Sequence, residues 1–380
     1  MSFTKKLFFL LLVFSFTFAT AQTSDTKKNE AVKAYNNAIS KIKAKDYRGA
    51  VDSYSKAIEL NPKYKKAFFN RGKVEMKLKK YKEAIEDFKK VEELDPEYAK
   101  AYMNEGYCEL KIKDYNKALD ASTKAIELDG KLEQAYINRA KAYQKLKKYD
   151  EAIQDYTKTI ELDGKNKIKA SLNRGILYQN LKKHDEAIAD FTTVANENPK
   201  YGKVLLYRGK AYLDKKDYTN AIADFSKQME LDPKDINAYY YLGYTKLKSK
   251  DYPGAITSFT KGLEVDANSF KLLSKRAIAY FSNKEYAKSI EDYNKLIEKE
   301  AKGSYYLNRG IAKYLTKDYS GSIKDLEEAI NKKAKLGKAN YYLSLSYQKK
   351  GNNAQACKYA KESKKQGYKR ADNLIKNVCK

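Results

Sequence analysis

The segment LKKYKEAIEDF at residues 78–88 recurs as LKKYDEAIQDY (146–156), LKKHDEAIADF (181–191) and KKDYTNAIADF (215–225). Aligned on it, the chain falls into about ten repeats. A small residue in the helix before each such segment falls at Ala38, Gly72, Gly106, Ala140, Gly175, Gly209, Gly243, Ala277, Gly310 and Ser344, in steps of 33 to 35 residues. A second small residue follows twelve later, as at Ala50, Ala84 and Ala152, and an aromatic four after that in most repeats, as at Tyr54, Phe88 and Tyr156. Each repeat carries two apolar patterns of helical period, split by a short polar turn such as Lys79-Lys80. Neither helix can bury its stripe alone, so neighbours must stack, and the fixed small residues let helix backbones approach. The fold class is all-α, a one-dimensional array instead of a single globular core.

In period and in every signature position except an absent Trp, the pattern resembles the tetratricopeptide repeat (TPR) over about residues 30–368. The resemblance implies a right-handed α-solenoid of about ten helix pairs whose first helices line a concave groove for protein partners. Residues 369–380 place Ala371, Leu374, Ile375, Val378 and Cys379 at i, i+3, i+4, i+7 and i+8, the stripe of a C-terminal capping helix. The chaperone-binding carboxylate clamp of the family is absent, because the positions that would hold its Lys are apolar, as at Tyr35, Phe69 and Met103.

The chain has 380 residues, 77 Lys+Arg against 49 Asp+Glu, and a formal net charge of +28. Apolar residues make up 42%, too many for a disordered basic tail. A single His and three scattered Cys leave no metal site, no nucleophile–base pair can be assembled, and no phosphate-binding glycine motif occurs. The sequence therefore points to neither an enzyme nor a cofactor. His184 stands where eight other repeats have Tyr, and Cys108 where others have small or aliphatic residues, so both are expected to pack. Met1–Ala21 has the form of a cleaved secretory signal: Lys5 and Lys6, an apolar run from Leu7 to Phe18, then Ala19-Thr20-Ala21. No Cys follows it, which argues against a lipoprotein, and residues 22–29 read as a polar linker. The expected location is periplasmic or extracellular, with no integral membrane segment left after cleavage.

With the small residue of the first helix numbered position eight, positions two, six, nine and thirteen share one helix face. Those forty positions hold sixteen Lys and one acid, Asp214, where chain-wide frequencies would place about eight basic and five acidic residues. The candidate ligand-binding residues come from this face. They are Lys66, Asn70, Lys73 and Lys77 in repeat two, Lys100, Asn104 and Lys111 in repeat three, and Asn138, Lys141 and Lys145 in repeat four, with Asn36, Lys169 and Asn173 in flanking repeats. Lys203, Tyr207 and Lys210, followed by Tyr241 and Tyr244, continue it as an aromatic zone. The Asn series suits peptide-backbone recognition, since an amide both donates and accepts. Its rival is simple duplication of an Asn-Arg-Gly unit. Lys89 and Lys90, on the second helix, serve as an outer-face control.

Position seven is Arg in six repeats (Arg71, Arg139, Arg174, Arg208, Arg276, Arg309), and the same six carry Asp at position twenty-three (Asp87, Asp155, Asp190, Asp224, Asp292, Asp325). A direct bond between the two helices of one repeat is expected. Cys357 occupies an inward aliphatic position and Cys379 lies on the capping stripe; export would place both in an oxidising compartment. A Cys357–Cys379 disulfide is the expectation, two reduced buried thiols the alternative. The functional reading is an exported scaffold holding an extended, acidic polypeptide, with no specific nucleic acid partner. The runner-up is a binder of an anionic polymer such as surface polysaccharide, lipid headgroups or nucleic acid.

Overall fold

The structure, a computed structural model, describes residues 26–379. The expected signal, residues 1–21, and residues 22–25 of the expected linker lie outside them. Residues 26–29 are helical, so the linker's described part opens the first helix instead. They contain no Pro or Gly to stop it. Among the described residues every element is helical and no strand occurs.

The chain divides into two compact halves after Leu181, inside repeat five. The N-terminal half holds α1 (26–43), α2 (Tyr47–Leu60), α3 (Lys65–Lys77), α4 (Tyr81–Leu94), α5 (Ala99–Ile112), α6 (Tyr115–Leu128), α7 (Glu133–Lys145), α8 (Tyr149–Glu161) and α9 (Lys167–Asn180). The C-terminal half holds α10 (His184–Glu197), α11 (Val204–Asp214), α12 (Tyr218–Leu231), α13 (Ile236–Lys248), α14 (Tyr252–Val265), α15 (Phe270–Ser282) and α16 (Tyr286–Lys299). It continues through α17 (Gly303–Leu315), α18 (Tyr319–Asn331), α19 (Leu336–Lys349), α20 (Asn353–Lys365) and α21 (Ala371–Val378).

Helix starts follow from local chemistry. Asp46, Asp114, Asp217, Asp251, Asp318 and Asn352 each cap a second helix, the side chain accepting from the backbone N–H three residues on. Tyr opens eight second helices and His184 opens α10 in its place. The turn before each second helix needs one left-handed residue, and nine of ten turns supply Lys there, as at Lys79 (φ 61°) and Lys113 (φ 69°); only Gly351 meets the need without a side chain.

Within each half, consecutive helices pack as antiparallel neighbours, and successive first helices also touch: α3 with α5 and α5 with α7 in one half, α11 with α13 and α13 with α15 in the other. This makes each half an α-solenoid with the first helices as its inner layer. Within each half, most repeats bury one ring in the core. Tyr54, Phe88, Tyr156, Phe191, Phe225, Phe259 and Tyr293 are all buried at position twenty-four. Each Phe comes from a repeat with Gly at position eight and each Tyr from one with Ala. The cause is visible at Gly243, where an added Cβ would lie 2.6 Å from the Phe259 ring.

Five of the expected Arg–Asp pairs are bidentate. Arg71, Arg139, Arg208, Arg276 and Arg309 each donate from Nε (2.8–2.9 Å) and Nη2 (2.6–2.8 Å) to the two oxygens of a buried Asp. The remaining Nη1 reaches back to the preceding repeat, to Ser55 (2.8 Å), Thr192 (3.2 Å), Thr260 (3.2 Å) or Asn294 (2.8 Å), with a longer bond to Thr123. Arg174 makes the same backward bond to Thr157 at 2.7 Å. Each fork therefore joins three helices, where the sequence pointed to two. Repeat three breaks the rule by exchanging signs: Glu105 takes the Arg position and pairs with Lys89 of repeat two at 3.6 Å.

At the end of the chain, α21 lays Leu374 and Val378 against Ala356 and Ala360 of α20. Cys357 and Cys379 are joined by a disulfide, with Cα atoms 4.9 Å apart. Cys108 is fully buried and reduced; burial, with Glu109, Glu105 and Glu75 around it, pushes its thiol up to about 12.

Candidate functional site

The sixteen lysines predicted for the inner face are almost all without an ion pair. Among the described residues only Lys203 has a carboxylate within 4.0 Å, Asp235 at 3.0 Å and Asp232 at 4.0 Å. On five second helices a lysine is instead paired locally, through Lys56–Glu59, Lys90–Glu93, Lys124–Glu127, Lys158–Glu161 and Lys227–Glu230 at i, i+3. The inner lysines lie along aromatic rings: Lys73 over Phe69, Lys77 over Tyr47 and Lys111 over Tyr107, 5.1–5.5 Å from the ring centroids. Lys66, Lys73, Lys77, Lys100, Lys111 and Lys145 are exposed, while Lys141 and Lys169 are half-buried. Burial lowers the Lys141 pKa, and the neighbouring cations Lys169 and Lys111 lower it further.

The Asn series is not the free ladder that the sequence suggested. Asn138 is buried (1% exposed); it donates to the Met103 carbonyl at 3.0 Å and accepts from Gln134 at 2.8 Å. Gln134 in turn accepts from Lys169 at 2.8 Å. This network ties α9, α7 and α5 together, so the Asn138 assignment is corrected to a structural one. Asn70 donates to the Tyr35 hydroxyl at 2.6 Å, and Asn104 to the Lys100 carbonyl at 2.8 Å. Asn36 is exposed and Asn173 half-buried.

In the C-terminal half, Lys203 needs a second correction. It sits in a 3₁₀ turn, Tyr201–Lys203, that Gly202 (φ 54°) opens ahead of α11, and its charge is taken by the buried Asp235. It is therefore not on the helical face. The aromatic zone is real: Tyr240 and Tyr244 stack 5.9 Å apart, and Tyr241 stacks on Phe225 at 5.5 Å. Lysines cover it. Lys271 lies 3.7 Å from the Tyr240 centroid, Lys210 bridges Tyr207 and Tyr241, and Lys275 and Lys248 flank Tyr244. Lys89, offered as an outer-face control, is unsuitable because it neutralises the buried Glu105.

A cavity of about 420 Å³ opens where the C-terminal ends of α5 and α7 meet the turn before α6. Lys111, Lys113, Lys141 and Lys145 line it together with Tyr107 and Tyr115. Among the described residues no cluster of His, Cys, Asp and Glu could hold a metal ion, and no helix is long and apolar enough to cross a membrane.

Three tetratricopeptide repeat family profiles match the chain, at residues 66–98 and 133–166, at 99–132 and 168–201, and at 209–250. The chain belongs to the tetratricopeptide repeat family. The TPR fold is shared with solved structures. The C-terminal part of a TPR repeat-containing protein from Cytophaga hutchinsonii is 20% identical over 61% of this chain and 95% of its own, with a TM-score of 0.55. A TPR protein from Parabacteroides merdae is 17% identical over 65% of this chain and 99% of its own, with a TM-score of 0.48. YrrB, described as a TPR protein with an unusual peptide-binding site, is 21% identical over 49% of this chain and 95% of its own, with a TM-score of 0.44. Among curated proteins nothing matches the chain.

Proposed function

We propose that this TPR protein is an exported scaffold that holds an extended acidic polypeptide against the inner face of its first helices. Family membership supports a protein-interaction role without catalysis. The observation that carries the acidic partner is the charge of that face: apart from Lys203, its fifteen lysines have no carboxylate within 4.0 Å among the described residues, while five lysines of the second helices are paired at i, i+3. A peptide is favoured over a nucleic acid because five repeat Arg are spent on buried Asp, leaving point-charge lysines instead of guanidinium forks at the surface. Export rests on the Met1–Ala21 pattern and on the disulfide, a bond suited to an oxidising compartment.

Fluorescence anisotropy with a labelled polyglutamate peptide tests the binding, with a neutral Gly-Ser peptide, a DNA oligonucleotide and an acidic polysaccharide beside it. Polyglutamate should bind, and Lys73→Glu with Lys77→Glu and Lys141→Glu should abolish it. Lys90→Glu with Lys124→Glu, on the second helices, should leave it intact. Equal loss in the control, or preference for DNA or polysaccharide, would overturn the reading. Fractionation of the producing cell tests export; a cytoplasmic protein retaining residues 1–21 would contradict it.

A further inference from the structure

The cavity between α5 and α7 is chemically one-sided. Four lysines line it, no carboxylate does, and none of the four has an acidic partner among the described residues. Its polar side chains are committed in the same sense. The Gln144 carbonyl already accepts from the Tyr156 hydroxyl at 2.9 Å, and its amide N–H groups are donors it can offer a ligand. Asn138 is bonded on both sides and forms a fixed wall. Tyr107, Leu110 and Tyr115 supply apolar surface beside the cations. A ligand here must accept hydrogen bonds, carry more than one negative charge and bring apolar stems. The cavity is also far larger than one carboxylate group needs.

We propose that this cavity is the anchor subsite of the face, receiving two neighbouring carboxylate side chains of the acidic segment, their methylene stems lying on the Tyr107, Leu110 and Tyr115 walls. The assignment rests on the peptide-binding function proposed above. Two carboxylates would take up charge that the fold leaves uncompensated. They would also return Lys141 towards an ordinary Lys pKa, since burial and its neighbours Lys169 and Lys111 hold it down.

Two neutral Gly-Ser decapeptides test it, each carrying two Glu, adjacent at the centre in one and at opposite ends in the other. Binding is followed by NMR of the lysine ammonium groups, which reads millimolar affinities, and polyglutamate is titrated in parallel. The adjacent-Glu peptide should bind about fivefold tighter than the separated one, the gain expected of one further partly exposed ion pair. The gain should vanish in Lys141→Ala with Lys145→Ala and persist in Lys66→Ala with Lys100→Ala, which lie on the same face outside the cavity. Equal binding of the two peptides, or a gain that survives the cavity variant, overturns the subsite while polyglutamate binding still stands for the face as a whole. Failure of polyglutamate itself would overturn both.

Discussion

At the scale of single residues, the buried rings explain a pairing rule that no composition count displays. Phe opposite Gly and Tyr opposite Ala are two solutions to one packing problem. Gly243→Ala should therefore cost about 1–3 kcal/mol, because the Cβ has nowhere to go beside Phe259. Gly130→Ala, whose Cβ would meet only the Ile126 carbonyl at 3.9 Å, is the control and should be close to neutral in urea denaturation. A second residue-scale consequence concerns pH. Glu75 is 7% exposed; burial first, then Asp87 beside it, pushes its carboxyl up to about 7 from 4.5. The folded state then binds a proton that the unfolded state releases between those values. Stability should fall as pH rises from about 4.5 through about 7. Glu75→Gln should flatten that part of the profile and leave the protein more stable than wild type at pH 8. Urea midpoints at pH 5 and pH 8 measure it; an unchanged slope in the variant would show that Glu75 is ionised throughout.

At the scale of elements, the disulfide fixes an eight-residue helix, too short to persist by itself, onto α20. Reduction should cost roughly 3 kcal/mol by the chain-entropy account and should expose the α21 amides before any others in the C-terminal half, as hydrogen exchange would record. Helix boundaries were legible because a short polar turn splits the two apolar patterns of each repeat and Tyr opens eight of the second helices. The role of the Asn series was not legible. Asn70, Asn104 and Asn138 occupy equivalent positions, yet they bond to a tyrosine hydroxyl, a carbonyl of their own helix and a carbonyl of the first helix one repeat earlier. Which one depends on neighbours a repeat away. The backward reach of Arg, by contrast, was written in the chain: Ser55, Thr123, Thr157, Thr192, Thr260 and Asn294 stand one repeat ahead of Arg71, Arg139, Arg174, Arg208, Arg276 and Arg309. Only the geometry makes that correspondence evident. Lys203 escaped because a left-handed Gly202 delays α11 by a turn, which periodicity alone does not record.

For the whole molecule, the lysines of the inner face repel one another with few acids to relieve them. Added salt screens that repulsion within about 10 Å at 0.1 M, so moderate salt should raise the melting temperature while weakening polyglutamate binding. Opposite signs for the two effects, measured on one preparation by differential scanning fluorimetry and anisotropy, would be the signature of an uncompensated binding face. The Arg forks carry a consequence of another kind, for how such an array can be shortened. Six repeats present to their successors a Ser, Thr or Asn that bonds Arg, whereas repeat two presents Lys89 to Glu105. Excising residues 133–166 would bring Thr123 to Arg174, a junction chemically equivalent to the one lost. Excising residues 99–132 would instead bring Lys89 to Arg139, cation against cation at a half-buried contact. The first deletion should express as a folded protein melting near the wild type, and the second should melt well below it or aggregate. Repeats that look interchangeable in an alignment are thus keyed to their neighbours, and the key decides where this chain can lose a repeat and still close its ranks.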